Sequence, residues 1–589
     1  HLGRLKKRLL NARDQREFDK IVADMISSID ANTTRTSKDV ATDSSKLGEA
    51  AQLARGLIAM HRKFSSLARE MDGGKDGGIM QQYFSRGMNE SGAEEAEMKG
   101  HATEALAKLF GMFEPDAVVG NLFAKRRMVP GTNLSMTQEN RIMFAMNWGN
   151  LGNRQRLLSG GLVGDRAMTE ETAAKILDTI TKEQWDFVQG VLDYFGTYRD
   201  QMGALEKDLT GVTPTWVEAE PMVTKFGIYP GGYFPAKYDP RLSSRSEMLE
   251  ALNATRGSMQ GVLGNAHTRD SAVQKRADEV HNQPILLNYN VIASHVSEVT
   301  HRLAWERFLV DARRLLRSIE PTVRAHYGPD LYNEMKETLN DIAIGDLPAT
   351  SSIEKVINHF RVGSTIVGMG WKVFTALLQP SGVTQSIERV GAKWIALGQK
   401  RFMTNPIAAN DFVNSMSKMM VHRAATMQRE VSEVLNVVRG DKQLGNVKAS
   451  YFTMIAKMQR LVDIPTWLGA YEKGLDQLGY DKANNEEERK VIEDTAVSLA
   501  DQAVLDSQSG GQIKDLARIQ RGTAFWKTMT NFYSYFSATY NLNVENYWRT
   551  DFKSPSHMMD YAGSVMILNI LPVLYSVALR ESLKPECEW

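Results

Sequence analysis

"TEETAAKILDTITKEQWDFVQGVLDYFGTY", residues 169–198, decides the fold class. Ile176, Leu177, Ile180, Trp185, Phe187, Val188, Val191, Leu192 and Phe195 return mostly at spacings of three and four, so they share one face of a helix. Thr169-Glu-Glu-Thr opens the stretch, and Thr181-Lys-Glu-Gln184 inside it has the form of a capping box. Two successive amphipathic helices are predicted, the second restarting at Thr181.

The same period runs outward along the chain. Leu47 to Arg69 carries Ala51, Leu53, Leu57, Met60, Phe64 and Leu67, and Tyr289–Ile319, Ser352–Phe360, Asp411–Arg439, Tyr451–Leu461 and Glu486–Leu505 behave alike. No run alternates with period two for long enough to predict a sheet. The class is all-α: an elongated multi-helix body with a Pro/Gly-rich aromatic loop region and a C-terminal apolar helix. Five consecutive regions follow: 1–130, N-terminal helical; 131–245, helix-corner-helix with a Pro/Gly/Tyr loop; 246–360, long helices; 361–560, helical core; and 561–589, an apolar C-terminal helix. No solenoid repeat is visible.

Breaks punctuate the helices. Gly73-Gly-Lys-Asp-Gly-Gly78 is a flexible turn. Pro214 to Pro240 is the longest non-helical stretch, and Tyr229, Tyr233, Phe234 and Tyr238 would pack its end onto helices. Asn405–Ala409 and Asp506–Gln512 read as short linkers. In "MTQENRIMFAMNWGNLGNRQRLLSG", residues 136–160, Ser135 to Gln138 fits a capping box. Gly149 and Gly152 suit a left-handed helix end, and Asn147, Asn150 and Asn153 can bond the freed backbone. Arg154 to Leu158 starts the next helix, stopped by Gly160-Gly161. That is a helix, a tight corner and a helix; a polar ligand site is the competing reading.

Composition narrows the function. The 589 residues leave room for about three to five domains or one long helical body. Charge almost cancels, 71 basic against 70 acidic, which argues against a general nucleic-acid binder. The local basic strip Arg4 to Arg13 reads as a solvated helix face. Cys587 is the one cysteine, so a single chain builds neither a disulfide nor a thiolate metal site. The chain starts at His1 with no methionine or signal peptide, which predicts a piece of a longer polypeptide or a processed product. Its 29 methionines suit helix contacts that repack.

Catalytic signatures are sparse. There is no Walker loop, no GxGxxG after a strand and no HExxH. One Glu-x-x-His occurs, Glu298 to His301, with His295 on the preceding turns; a di-iron bundle needs a second such motif. "GGIMQQYF", residues 77–84, resembles the Gly-Leu-Met-Gln segment of lytic transglycosylases. Those enzymes place an acid-acting Glu-Ser upstream, whereas Glu90-Ser91 lies downstream here. No catalytic, cofactor-binding or metal residue is assigned and no cofactor is expected.

The strongest physical signal is "YAGSVMILNILPVLYSVAL", Tyr561 to Leu579, 19 residues without a charge between Asp560 and Arg580. About 20 apolar residues span a bilayer. Pro572 would kink such a helix, and the aromatic-rich approach at 525–548 suits a membrane interface. A central core helix is the equal alternative. A second apolar stretch, residues 362–382, is interrupted by Lys372 and reads as a helix buried in protein.

A series of motifs points to a family. Ala145–Leu157 ("AMNWGNLGNRQRL"), "GGYFPAKYDPR" (231–241), "ALLQPSGVTQSIERVG" (376–391), "IPTWLGAYEKGL" (464–475) and "DLARIQRG" (515–522) occur in order. Over roughly residues 130 to 575 the chain resembles the C-terminal regions of very large bacteriophage virion proteins. These include internal virion or DNA-ejection proteins of short-tailed phages and related giant polyproteins. The motifs are specific as a series and weak one by one.

The resemblance implies a helical, non-enzymatic virion protein held inside the capsid near the portal. It would be ejected with or ahead of the genome and form part of a DNA-translocation conduit across the host cell envelope. Its implied partners are further copies of itself in an oligomer, other phage ejection proteins and portal or tail proteins. Viral DNA would pass through without sequence-specific binding, and the host inner membrane would be engaged through 561–579. The alternative is a non-catalytic helical scaffold region of a giant virion enzyme such as a virion RNA polymerase. A third is an enzyme whose site is unread, with the Glu298/His301 face or the Tyr229–Tyr238 loop as its place.

Overall fold

Thr169 Oγ1 accepts the backbone N–H of Thr172, and Thr181 forms a complete capping box with Gln184. The helix Glu170–Asp178 therefore ends and Lys182–Gly196 begins where the sequence signals it. In this computed structural model the described residues are 2–32, 59–112, 126–160, 168–211, 214, 216, 218–237, 284–345, 379–426, 445–521 and 533–582. Helices carry most of them. Paired strands among the described residues are two hairpins, Arg127–Met128 with Ser135–Met136 and Met222–Thr224 with Gly227–Tyr229. The fold is all-α, as its periodicity predicts.

The chain groups into two compact units, one of Glu94–Arg307 and one of His1–Ala93 with Phe308–Trp589. These limits differ from the consecutive regions drawn on the sequence. Contacts such as Lys63 N–H to Asn541 Oδ1, 3.0 Å, join segments that composition cannot pair.

In the 94–307 unit, Gln138–Trp148, Lys182–Gly196 and the start of Asn290–Ser318 enclose a core of Ile142, Met143, Phe144, Phe187, Val188, Val191 and Ile292. The loop after the second hairpin lies on this core. Phe234 stacks on Phe195 at 5.8 Å, Tyr229 stacks on Trp185 at 5.6 Å, and Tyr233 meets His295 at 5.4 Å. Tyr238 lies outside the described residues.

In the other unit, Ala392–Thr404 crosses Gly445–Leu478 with backbones almost touching. A Cβ on Gly398 would lie 2.1 Å from the Pro465 carbonyl oxygen, and one on Gly469 would lie 2.5 Å from that of Trp394. Glu486–Gln508 completes a core with Trp467, Leu468, Ala500 and Val504.

Several expectations are corrected. The helix expected over Leu47–Arg69 is interrupted at 61–63 and restarts at Phe64. Thr137 rather than Ser135 caps Gln138–Trp148, because Ser135 and Met136 pair with Arg127 and Met128. Gly149 ends that helix at φ −73, without the left-handed turn, and Gly152 lies inside Leu151–Gly160. Asn405–Ala409 is no linker: Asn405 caps Pro406–Met416, accepting from Ala408 N–H at 3.1 Å. Ser417 divides Asp411–Arg439, its side chain accepting from Met420 N–H. Residues 352–360, 362–378, 427–439 and Cys587 lie outside the described residues.

Candidate functional site

Pro555–Leu579 forms one helical run, built of Pro555–Val565, a wide π turn at Met566–Ile570, and Leu571–Ser582. Pro572 has no N–H and crowds the carbonyl four residues back. The wide turn just before it absorbs that conflict, so the expected kink appears as a π turn. The run is long and apolar enough to cross a membrane, and only 6% of its apolar window is buried. The core-helix alternative is overturned by that exposure: Ile570, Leu571, Val573, Leu574 and Val577 face outward, and Leu574 is 57% exposed.

A narrow, largely polar seam holds this helix to its own unit. Ser564 Oγ donates to Glu388 Oε1 at 2.7 Å, and Asn546 Nδ2 donates to the same oxygen at 2.7 Å. Asn569 and Asn543 exchange amide hydrogen bonds of 3.1 and 3.3 Å. Leu568 is the apolar side chain buried along the seam, at 1% exposure. At the start of the run, Tyr561 meets Phe552 at 5.5 Å and Tyr547 at 6.4 Å, and half-exposed Trp548 packs on Tyr547 at 5.9 Å. Aromatics with a polar edge favour the zone between water and hydrocarbon.

The other sequence candidates make contacts within the fold. At the 145–157 corner, the Gly149 carbonyl accepts from Glu220 and Gly232 N–H, both at 2.9 Å. Gln189 clasps Gly231 with two bonds of 3.0 Å, and Asn153 Nδ2 donates to Asn147 Oδ1 and the Phe234 carbonyl. The corner is a latch between two helices and the Gly231-Gly232 loop. Glu298 pairs with Lys237 at 2.7 Å, whereas His301 Nδ1 lies 3.1 Å from Glu95 Oε1, so the two residues serve separate contacts. Burial works against ionisation of Glu95, but the His301 hydrogen bond and Lys99 bring its carboxyl down to about 2. His295 is enclosed by Phe195 and Tyr233. Residues 77–84 end in the π turn Gln81–Ser85, with Phe84 packed on Phe64 at 5.2 Å.

Sequence reading missed a buried ionic network. Asp76 contacts Arg389 at 2.8 Å, Arg69 at 3.2 Å and Lys473 at 3.2 Å, and Arg389 also meets Asp506 at 2.9 Å. Burial alone would raise the Asp76 carboxyl, but the three cations outweigh it and hold the group well below the ordinary carboxylate range. A void of about 10 Å³ beside Asp76 and Lys473 has room for one water at most. Lys63 donates to Ser509 Oγ at 3.1 Å, and both are buried; burial brings that ammonium down to about 8. These groups bind four chain segments together, around residues 63–76, 389, 473 and 506–509. Charged residues scattered along amphipathic helices gave no local sign of it.

Also unanticipated is the hairpin 222–229, where cross-strand neighbours Val223 and Ile228 are both largely exposed. No protein family, curated protein or solved structure compared with this chain matches it.

Proposed function

We propose that this chain is a structural bacteriophage virion protein, ejected into the host with or ahead of the genome as part of an envelope-spanning conduit for DNA. The exposed apolar helix Pro555–Leu579 carries the reading. Water does not tolerate so long an apolar surface on an isolated soluble body, and lipid is the solvent that suits it. The ordered motif series from Ala145 to Gly522 supports the family assignment. Net charge near zero suits a conduit that DNA slides through without being held. The protein acts in several copies beside other ejection, portal and tail proteins, first inside the capsid and then in the host periplasm and inner membrane. It has no catalytic role of its own.

The test is the native mass of residues 1–589 in buffer and in lipid nanodiscs. A defined multimer that forms or persists with lipid is the expected result. A monomer indifferent to lipid would overturn the conduit reading in favour of a scaffold within a larger virion protein.

A further inference from the structure

We propose that Pro555–Leu579 is a stowed membrane segment, which crosses a bilayer only after leaving its seat on the protein by rotation about residues 550–554. This rests on the membrane reading above and adds its regulation.

The seat cannot enter lipid with the helix. Met566–Ile570 packs on Val383–Val390 and Tyr533–Arg549, and the following helix runs beside Gln379–Gly382. That seat carries Glu388, which holds Ser564, and next to it Arg389, which is tied to Asp76 and Asp506. A helix surrounded by hydrocarbon while seated would draw these charges into the bilayer, where they are strongly disfavoured. Lipid and the seat therefore compete for one face of the helix.

The attachment is suited to release. Among the described residues its polar bonds include Ser564–Glu388 and the Asn543–Asn569 exchange, its buried apolar anchor is Leu568, and Tyr561 adds ring contacts with Tyr547 and Phe552 near the turn. Outward, Ile570, Leu571, Val573, Leu574 and Val577 gain only when lipid covers them. The turn is held by short-range bonds: Thr550 N–H to the Asn546 carbonyl, Ser554 N–H to that of Asp551, and Lys553 N–H to Asp551 Oδ1. Rotation there leaves the helices on either side intact.

The occupant is a bilayer. Nineteen uncharged residues rise about 28 Å as a helix, close to the roughly 30 Å of a hydrocarbon core. Tyr547, Phe552 and Tyr561 gather at one end, where an interface would lie.

The experiment uses the full chain with Cys587→Ser, Asn543→Cys and Asn569→Cys, joined or not by a short bis-maleimide. It is mixed with vesicles of phosphatidylethanolamine and phosphatidylglycerol. Insertion is read by carbonate-resistant pelleting and by protection of a C-terminal epitope from added protease. The unlinked protein should insert and the linked one should lose at least tenfold. Equal insertion of both forms overturns release but leaves the membrane reading standing. Failure of both to associate with vesicles overturns the two together. Multimers in buffer with no insertion would assign the face to a second copy and overturn the bilayer as occupant.

A second pair, Glu388→Ala with Asn543→Ala, leaves the helix sequence unchanged and loosens only its seat. Its insertion rate should rise about fivefold per lost hydrogen bond, and an unchanged or slower rate overturns the proposal.

Discussion

Asp501 accepts hydrogen bonds from Ser417 Oγ at 2.6 Å and Trp467 Nε1 at 2.7 Å, both on one oxygen, inside the Trp467 core. Burial pushes its carboxyl up to about 6, against those two bonds and the charge of Lys514. A raised carboxyl favours the folded state when protonated. That stability is fully present below the unfolded value of about 3.9 and is lost as pH rises through about 6. Asp501→Asn keeps an oxygen for both donors and removes the ionisation. Its stability should exceed that of the parent at pH 8, by up to about 3 kcal/mol and with a higher Tm, and nearly equal it at pH 4. Calorimetry at the two pH values checks this. Gly398 answers to sterics instead, since its Cβ would meet backbone rather than a movable side chain. Gly398→Ala should cost about 1–3 kcal/mol in urea unfolding. Gly196→Ala, with nothing within 4 Å of the new atom, should cost nothing.

At the scale of elements, the apolar helix has two faces under different control. Its seam answers to Glu388 and Asn543, and its outer surface answers to solvent or lipid. Leu574→Lys should change urea stability by less than about 0.5 kcal/mol, because an exposed side chain loses few contacts. The same lysine near the middle of a bilayer costs about 3 kcal/mol, so vesicle association should fall roughly a hundredfold. Equal vesicle binding by Leu574→Lys and the parent would argue that lipid does not cover this face. The corner at 145–157 shows the opposite economy. There every asparagine is occupied by neighbouring backbone or amide groups, so an apparently ligand-rich sequence makes a rigid joint.

For the whole molecule, balance of charge is the governing quantity. With 71 cations against 70 anions, attraction to phosphate is not concentrated by net charge. Duplex DNA retention by the full chain should vanish near physiological salt and show no sequence preference at lower salt. Gel retardation with two unrelated duplexes checks this, and tight binding to one of them would contradict a passive conduit. The ionic network works at this scale too. Asp76, Arg389, Lys473 and Asp506 come from segments far apart in sequence, so their mutual attraction helps set which segments share a core.

The amino-acid sequence by itself determined that the chain is helical, where Thr169 and Thr181 start helices, that Gly73–Gly78 turns, and that Tyr561–Leu579 is long and uncharged enough for lipid. Each of these is a property of neighbours a few residues apart, set by period, cap and composition. Only the tertiary structure decided that the apolar run lies outside the core, that Asn147, Asn150 and Asn153 bond their own fold, and that Glu298 and His301 have different partners. The reason is physical. A core helix and a membrane helix have the same composition, and a bonded amide has the same side chain as an unbonded one. What separates them is the identity of atoms brought near by distant parts of the chain, and local sequence does not carry it.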